Sequence, residues 1–269
     1  MRPPVALSVA GSDPSGGAGI QADLKTFSAL GAYGACVITA LTAQNTRGVY
    51  GVHEVPAPFV AEQLRVLADD VRLDAVKLGM LANAAIIETV AAFLLENPRE
   101  IVVLDPVMVA TSGDLLLRDD AVQAMRELLP LASIATPNAP EAAALLETTE
   151  AATVDELADQ ARELVRRGAQ QVLAKGGHLD TPDEVVDVLA DPSGVTLFRG
   201  PRIATVNTHG TGCSLSSALA ALRPQRSSWS ETVGDARSWL GAALEAADGL
   251  EVGRGHGPVH HFARLWAGR

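Results

Sequence analysis

The run Ile101-Val102-Val103-Leu104 is apolar without a break and closes on Asp105-Pro106. A strand with one wet face alternates apolar and polar residues, so a run this uniform is expected of a strand buried on both faces, inside a parallel sheet covered by helices. Proline cannot carry the ladder onward, which leaves Asp105 at the strand's carboxyl end. The same grammar recurs. Apolar runs at 5–10, 75–81, 133–136 and 171–174 each end in a polar or glycine-rich tip, and helical patterns at 20–30, 58–70, 83–96, 119–129, 142–146 and 153–167 separate them. Runs at 33–41, 48–55 and 202–206 read as further strands, 184–190 with 195–198 as a hairpin, 111–113 as a Thr-Ser-Gly loop, and 212–222 and 231–247 as the last helices. This alternation predicts an α/β fold with a mostly parallel central sheet and helices on both faces. At 269 residues and 48% hydrophobic content, residues 1–269 are expected to form a single domain.

In open parallel sheets ligands bind outside the carboxyl ends of the strands. The tips carry Gly11, Gln44, Met80, Asp105, Asn138, Glu141 and Lys175, and a seventh cluster, Asn207-Thr208-His209-Gly210-Thr211-Gly212-Cys213, opens a helix. Its two glycines permit a tight turn with unblocked N–H groups at the positive end of the helix dipole, an arrangement suited to an anion. Cys213 falls in the first turn, where that field is expected to lower the thiol pKa. The bland reading makes Thr208 and Thr211 caps and Cys213 a small buried hydrophobe.

Composition removes whole classes of partner. A net charge of −11 argues against nucleic acid or an anionic membrane, so phosphate must be bound locally. Two cysteines, Cys36 and Cys213, support neither a disulfide framework nor a Cys-rich zinc site, and a reducing cytoplasm fits. No signal-like or spanning segment is read. Positive charge is carried by eighteen arginines and three lysines, Lys25, Lys77 and Lys175, so each lysine is expected to stand where geometry asks for one.

Two acids, one lysine and a glycine-turn helix are the equipment of phosphoryl transfer: acids organise Mg²⁺, and Lys and backbone donors meet the moving phosphoryl group. The loop at 11–19 matches neither G-x-G-x-x-G nor a P-loop, and no protein-kinase or G-x-S-x-G signature is present. A Cys–His hydrolase pairing Cys213 with His209 lacks a third member, and the histidines at 256, 260 and 261 lack a second cluster for a metal.

The strings at 10–26 (AGSDPSGGAGIQADLKT), 39–46 (TALTAQNT), 105–108 (DPVM), 138–142 (NAPEA), 175–178 (KGGH) and 207–213 (NTHGTGC) resemble, in order and over residues 8–262, the bacterial hydroxymethylpyrimidine/phosphomethylpyrimidine kinases of the ribokinase-like superfamily. That resemblance implies a three-layer α/β/α kinase of thiamine biosynthesis. It would use ATP to phosphorylate 4-amino-5-hydroxymethyl-2-methylpyrimidine and then the monophosphate, without a fused thiamine-phosphate synthase domain. It further implies a homodimer. By position, Gln44 would bond the aminopyrimidine edge, with Gly11, Ala18, Asp23, Met80 and Val107 around the ring. Asp105 and Glu141 would order Mg²⁺. Asn138, Lys175, Thr208 and Thr211 would meet the ATP phosphates, and the segment from Gly210 through Gly212 to Cys213 would form the anion hole. Most ribokinase relatives carry an aspartate base where this chain has Cys213, which points to the hydroxymethylpyrimidine and pyridoxal branch with Cys213 as candidate proton acceptor. Pyridoxal kinase, whose substrate is also a flat heterocycle with a CH₂OH arm, stays open, as does a non-catalytic pyrimidine or nucleotide sensor. Gln44 favours the first reading, because an amide pairs with a ring nitrogen and its neighbouring amino group at once.

Overall fold

The computed structural model describes residues 2–108 and 119–267. Eight strands form one sheet in the order β10-β9-β8-β7-β6-β5-β1-β2. β1 (Val5–Ala10), β2 (Tyr33–Ile38), β5 (Ala75–Leu78), β6 (Val102–Leu104), β7 (Ile134–Ala135) and β8 (Val172–Ala174) run parallel. β9 (Glu184–Asp191) and β10 (Gly194–Pro201) close one edge as the expected antiparallel hairpin. A separate two-stranded sheet pairs β3 (Ala40–Asn45) with β4 (Gly48–Glu54).

Alternate residues of the central strands feed two cores, the pleat acting as a sorter. Leu7, Val9, Val102, Leu104, Val172 and Ala174 face one core, which also takes residues of α2 (Ala57–Asp70), α3 (Ala84–Glu96), α4 (Asp119–Leu128), α5 (Ala139–Leu146) and α6 (Val154–Arg166). Ala6, Val103 and Leu173 face the other, with α1 (Gly19–Ala29), α7 (Thr211–Leu222) and α8 (Trp229–Glu245). The short α9 (Ala263–Trp266) follows. The result is the expected α/β/α layering, and the capping residues act as read: Asn83 accepts from Ile86 N, and Thr153 with Glu156 forms a capping box.

Three expectations meet corrections or limits. The run at 33–41 is not one strand. β1 ends at Ala10, so beyond Ile38 the parallel ladder has lost its partner; Thr39 donates its hydroxyl to Met80 O (2.7 Å), and the chain peels into the β3–β4 hairpin. Residues 202–206 form no strand, because the Arg202 guanidinium donates to the carbonyls of Gly177, Leu179 and Thr181 and the following stretch is tied to Asp248 through Thr205 and Asn207. The loop read at 111–113 lies outside the described residues.

Strand order reverses between β1 and β5, so the loops that follow these two strands part there and leave a crevice. Gly11 N donates to Met80 O across it (3.2 Å).

Candidate active site

Of the residues expected to meet phosphate, Thr208, Gly210, Thr211 and Gly212 stand at the start of α7, and Lys175 faces it. Gly210 holds φ +76°, and a Cβ there would lie 1.8 Å from Gly17 O, so both conformation and space demand glycine. Thr211 turns its hydroxyl back onto Thr208 O (2.6 Å), and Thr208 is exposed. Ser214 N returns to Gly210 O (2.8 Å), while among the described residues no hydrogen bond takes up the N–H of Gly212 or Cys213. These are the orphan donors a helix end offers an anion. A Cβ on Gly212 would sit 3.2 Å from Lys175 Nζ and 3.9 Å from Asp105 Oδ2, so the bare Gly212 face looks at the lysine and the acid.

Lys175 follows β8, its N–H bonded to Pro137 O and its Nζ 2.9 Å from Asp105 Oδ1 and 3.6 Å from Glu141 Oε2. Asp105 also accepts from Thr136 Oγ1 (3.2 Å) and from Ser216 Oγ on α7 (3.0 Å). Burial alone would raise its pKa, but the charges of Lys175 and Lys77 and the bonds from Lys175 and Ser216 hold it below the ordinary carboxylate value. Glu141 goes the other way, to about 7: burial and the charge of Asp105 outweigh Lys175 and the Asn138 N–H. Asn138 and Glu141 form the capping box of α5, so the Asn138 side-chain oxygen is committed to Glu141 N (2.8 Å) and its NH₂ is the part that remains for a phosphate. Two carboxylates beside one ammonium suit Mg²⁺, which takes one or two carboxylates and completes its shell with water and substrate phosphate. No group of three or more His, Cys, Asp or Glu is assembled among the described residues for a fully protein-bound ion.

Of the residues expected around the ring, Gly11, Met80 and Gln44 stand at the crevice. Gly11 is packed so closely that a Cβ would come within 2.2 Å of Met80 Cε. Ser12 N bonds Ala40 O (2.9 Å), and Thr42 Oγ1 bonds Ser12 O (2.9 Å) and approaches Gln44 Oε1 (3.2 Å), which hangs the half-buried Gln44 above the loop after β1. Gln44 is therefore carried by the separate hairpin, at an irregularity between Ala43 and Gln44, and not by the end of a main-sheet strand. Ala18, half-buried, caps α1 and donates to Asp13 Oδ2 (2.8 Å), and Val107 is half-buried just beyond Asp105.

Two expectations fail here. Asp23 does not face a ring: it is fully buried and bonded to Lys77, Ser8 and Ser217. The Cys213 thiol is not acidified. Burial, with the negative charges of Asp105 and Asp23, outweighs Lys77 and the Gly19 N–H and pushes its pKa up to about 11. His209 does not pair with Cys213 either; its Nε2 lies 2.7 Å from Asp13 Oδ2, and since a carboxylate only accepts, that nitrogen carries the proton. Asp13 is a hub the sequence reading missed. It also receives Ser15 N, Ser15 Oγ, Gly17 N and Ala18 N, and the His209 imidazole with the Ser15 donors, against burial, holds its pKa at about 2. Nothing in the sequence joins residues so far apart. Lys77 did leave a signal, a charge at the centre of the apolar run Ala75-Val76-Lys77-Leu78, which a buried strand tolerates only with a partner.

A family model described as phosphomethylpyrimidine kinase matches residues 13–260. The hydroxymethylpyrimidine/phosphomethylpyrimidine kinase of Escherichia coli (strain K12) is 57% identical over 262 residues, 97% of this chain and 98% of the relative. The chain is also similar to two solved structures. Bacillus subtilis pyridoxal kinase, in an ADP complex, matches with a TM-score of 0.90 at 35% identity, covering 98% of this chain and 99% of that one. Phosphomethylpyrimidine kinase from Clostridium difficile 630 matches with a TM-score of 0.80 at 38% identity, covering 90% and 99%.

Proposed function

The chain belongs to the phosphomethylpyrimidine kinase family, and from that premise we infer that it is an ATP-dependent phosphotransferase of thiamine biosynthesis. It phosphorylates 4-amino-5-hydroxymethyl-2-methylpyrimidine and then the monophosphate. The observation that supports this most is the meeting of the Gly212 face, Lys175 Nζ and Asp105 at one point: fixed donors, an ammonium and a carboxylate where a phosphoryl group would pass. Such transfer is loose and leaves little covalent work to the protein, so positioning and charge stabilisation carry it.

In this reading Lys175 and the N–H groups of Gly210, Gly212 and Cys213 hold the moving phosphoryl oxygens, with Thr208, Thr211 and the Asn138 NH₂ toward the nucleotide. Asp105 and Glu141 would hold Mg²⁺, whose chemistry there is neutralisation of phosphate charge. Gln44 reads the aminopyrimidine edge, and Gly11, Ala18, Met80 and Val107 shape the ring site. Asp23 is left out of the ring site because its carboxylate is sealed. Cys213 contributes its backbone N–H, and its thiol stays protonated near neutral pH. We treat residues 1–269 as one ribokinase-like kinase unit. A cytoplasmic location is supported by two free cysteines, and a homodimer by apolar side chains on the hairpin, among them Tyr50 at 70% exposure. No helix among the described residues is long and apolar enough to cross a membrane.

The test supplies ATP, Mg²⁺ and either the pyrimidine alcohol or pyridoxal and follows products by ³¹P NMR. The expected result is a monophosphate followed by a diphosphate from the pyrimidine, with two ADP released. Phosphorylation of pyridoxal alone would favour the other branch, and ADP release without a phosphorylated product would remove the kinase reading.

A further inference from the structure

A second lysine–aspartate pair lies outside the site and holds neither substrate nor phosphate, although the Lys77 charge helps keep the Asp105 pKa down and the Asp23 charge helps keep that of Cys213 up. Lys77, in β5, places Nζ 2.9 Å and 3.0 Å from the two carboxylate oxygens of Asp23, in α1. Ser8, in β1, donates to one of these oxygens (2.5 Å), and Ser217, in α7, donates to the other (2.6 Å). All four residues have 0% exposure. Four elements are thus tied at one sealed point, and Ser217 stands one helical turn beyond Cys213 on the same side of α7.

Stability does not account for this pair. Two charges removed from water lose solvation that their attraction repays incompletely, and an apolar pair of similar volume often serves a fold as well or better. Direction is what the pair supplies. The apolar part of the inner surface of α7 is Leu215, Ala218, Leu219, Ala220, Ala221 and Leu222, a largely short-chained face that apolar contact holds without fixing its rotation or depth; of the polar ties, Ser214 meets His261 and Ser216 meets Asp105 in the site itself, and Ser217 is the serine whose partner is the ion pair sealed outside the site. Hydrogen bonds to a carboxylate clamped by Ser8 and Lys77 do fix both. The orphan N–H groups of Gly212 and Cys213 ride on the same helix, and transition-state donors lose their value when displaced by fractions of an ångström.

We propose that Lys77 and Asp23 are positioning residues: a sealed ion pair that, through Ser217, sets the height and rotation of α7 so that its first-turn N–H groups meet the phosphoryl group held by Lys175. This rests on the kinase reading. The decisive variant is the double substitution Asp23→Leu/Lys77→Met, which removes both charges together and leaves neither buried alone.

The double variant is expected to melt at or above the parent temperature, with kcat lowered about tenfold or more and KM for ATP and the pyrimidine alcohol within about threefold, the signature of an interaction felt only in the transition state. Ser217→Ala removes the helix tie alone and is expected to lower kcat about fivefold with KM unchanged; it keeps the question answerable if the double variant does not fold. Parent kcat in a folded double variant, or in Ser217→Ala, would overturn the proposal. The parent enzyme runs in the same assay, so its own inactivity would count against the kinase reading, whereas an active parent beside undiminished variants would count against the positioning role alone.

Discussion

The two lysine–aspartate pairs are made of the same parts and do opposite things. Each aspartate accepts from a serine of α7, Asp105 from Ser216 and Asp23 from Ser217, adjacent residues that point one ion pair toward the crevice and the other into the sheet. Lys77 and Asp23 have no exposure, and the Asp23 oxygens take four bonds from three side chains. Lys175 keeps 14% of its side chain open, and Glu141 stands 3.6 Å away as a second, unmatched acid. The difference begins in strand position. Lys77 sits inside β5, where both faces are covered, and Lys175 sits one residue past β8, where the strand has ended and the helix end faces it. A closed pair acts through the structure and its field on neighbouring groups; a pair at an open edge can also meet a ligand.

The comparison breaks most visibly at Asp105. Asp105→Ala leaves Lys175 with the weaker partner Glu141 and takes away a charge that acts during transfer, so kcat is expected to fall about 100- to 1,000-fold with KM for the alcohol little changed. Steady-state kinetics with a melting curve checks this; a loss tracking the unfolded fraction would make Asp105 merely structural.

How much of this contrast could be read beforehand depends on what each residue advertises. Asp105, Asn138 and Lys175 follow apolar runs, and a strand that stops must deliver its next side chain to the sheet's edge, so their meeting was legible. So were the layering and the β9–β10 hairpin. Asp23 was misplaced because its neighbours in sequence belong to the ligand loop, and helical periodicity does not say whether a carboxylate turns to a cavity or to a buried lysine. Gln44 was expected at the tip of a main strand; the turn-off at Thr39 depends on where β1 ends, a property of the partner strand. For Cys213 the helix end was weighed without the burial and the two nearby carboxylates that reverse its effect.

A change away from both pairs sharpens the contrast by leaving transfer alone. Gln44→Leu is expected to weaken pyrimidine binding by about 1–3 kcal/mol, with kcat at saturation and KM for ATP near the parent values, because an amino-pyrimidine edge left unpaired loses its bonds in ground and transition state alike. Titration calorimetry with the alcohol checks it, and undiminished affinity would assign ring recognition elsewhere.

The smallest effect belongs to the thiol between the pairs. With its pKa near 11, Cys213 is protonated at neutral pH, so Cys213→Ser is expected to keep kcat within about threefold. Its alkylation by iodoacetamide should climb about tenfold per pH unit up to that value, since the thiolate is the reacting form. A rate already levelling off by pH 8 would return the thiol to the role of proton acceptor.

If the open pair acts in the transfer itself, single-turnover phosphorylation by Lys175→Met must show it. With enzyme in excess over γ-labelled ATP and the pyrimidine alcohol saturating, transfer is expected to slow about 100-fold or more while ATP affinity, measured separately, changes no more than about threefold. Transfer at the parent rate would contradict it, because the ammonium beside Asp105 and the Gly212 face would then be no part of the chemistry.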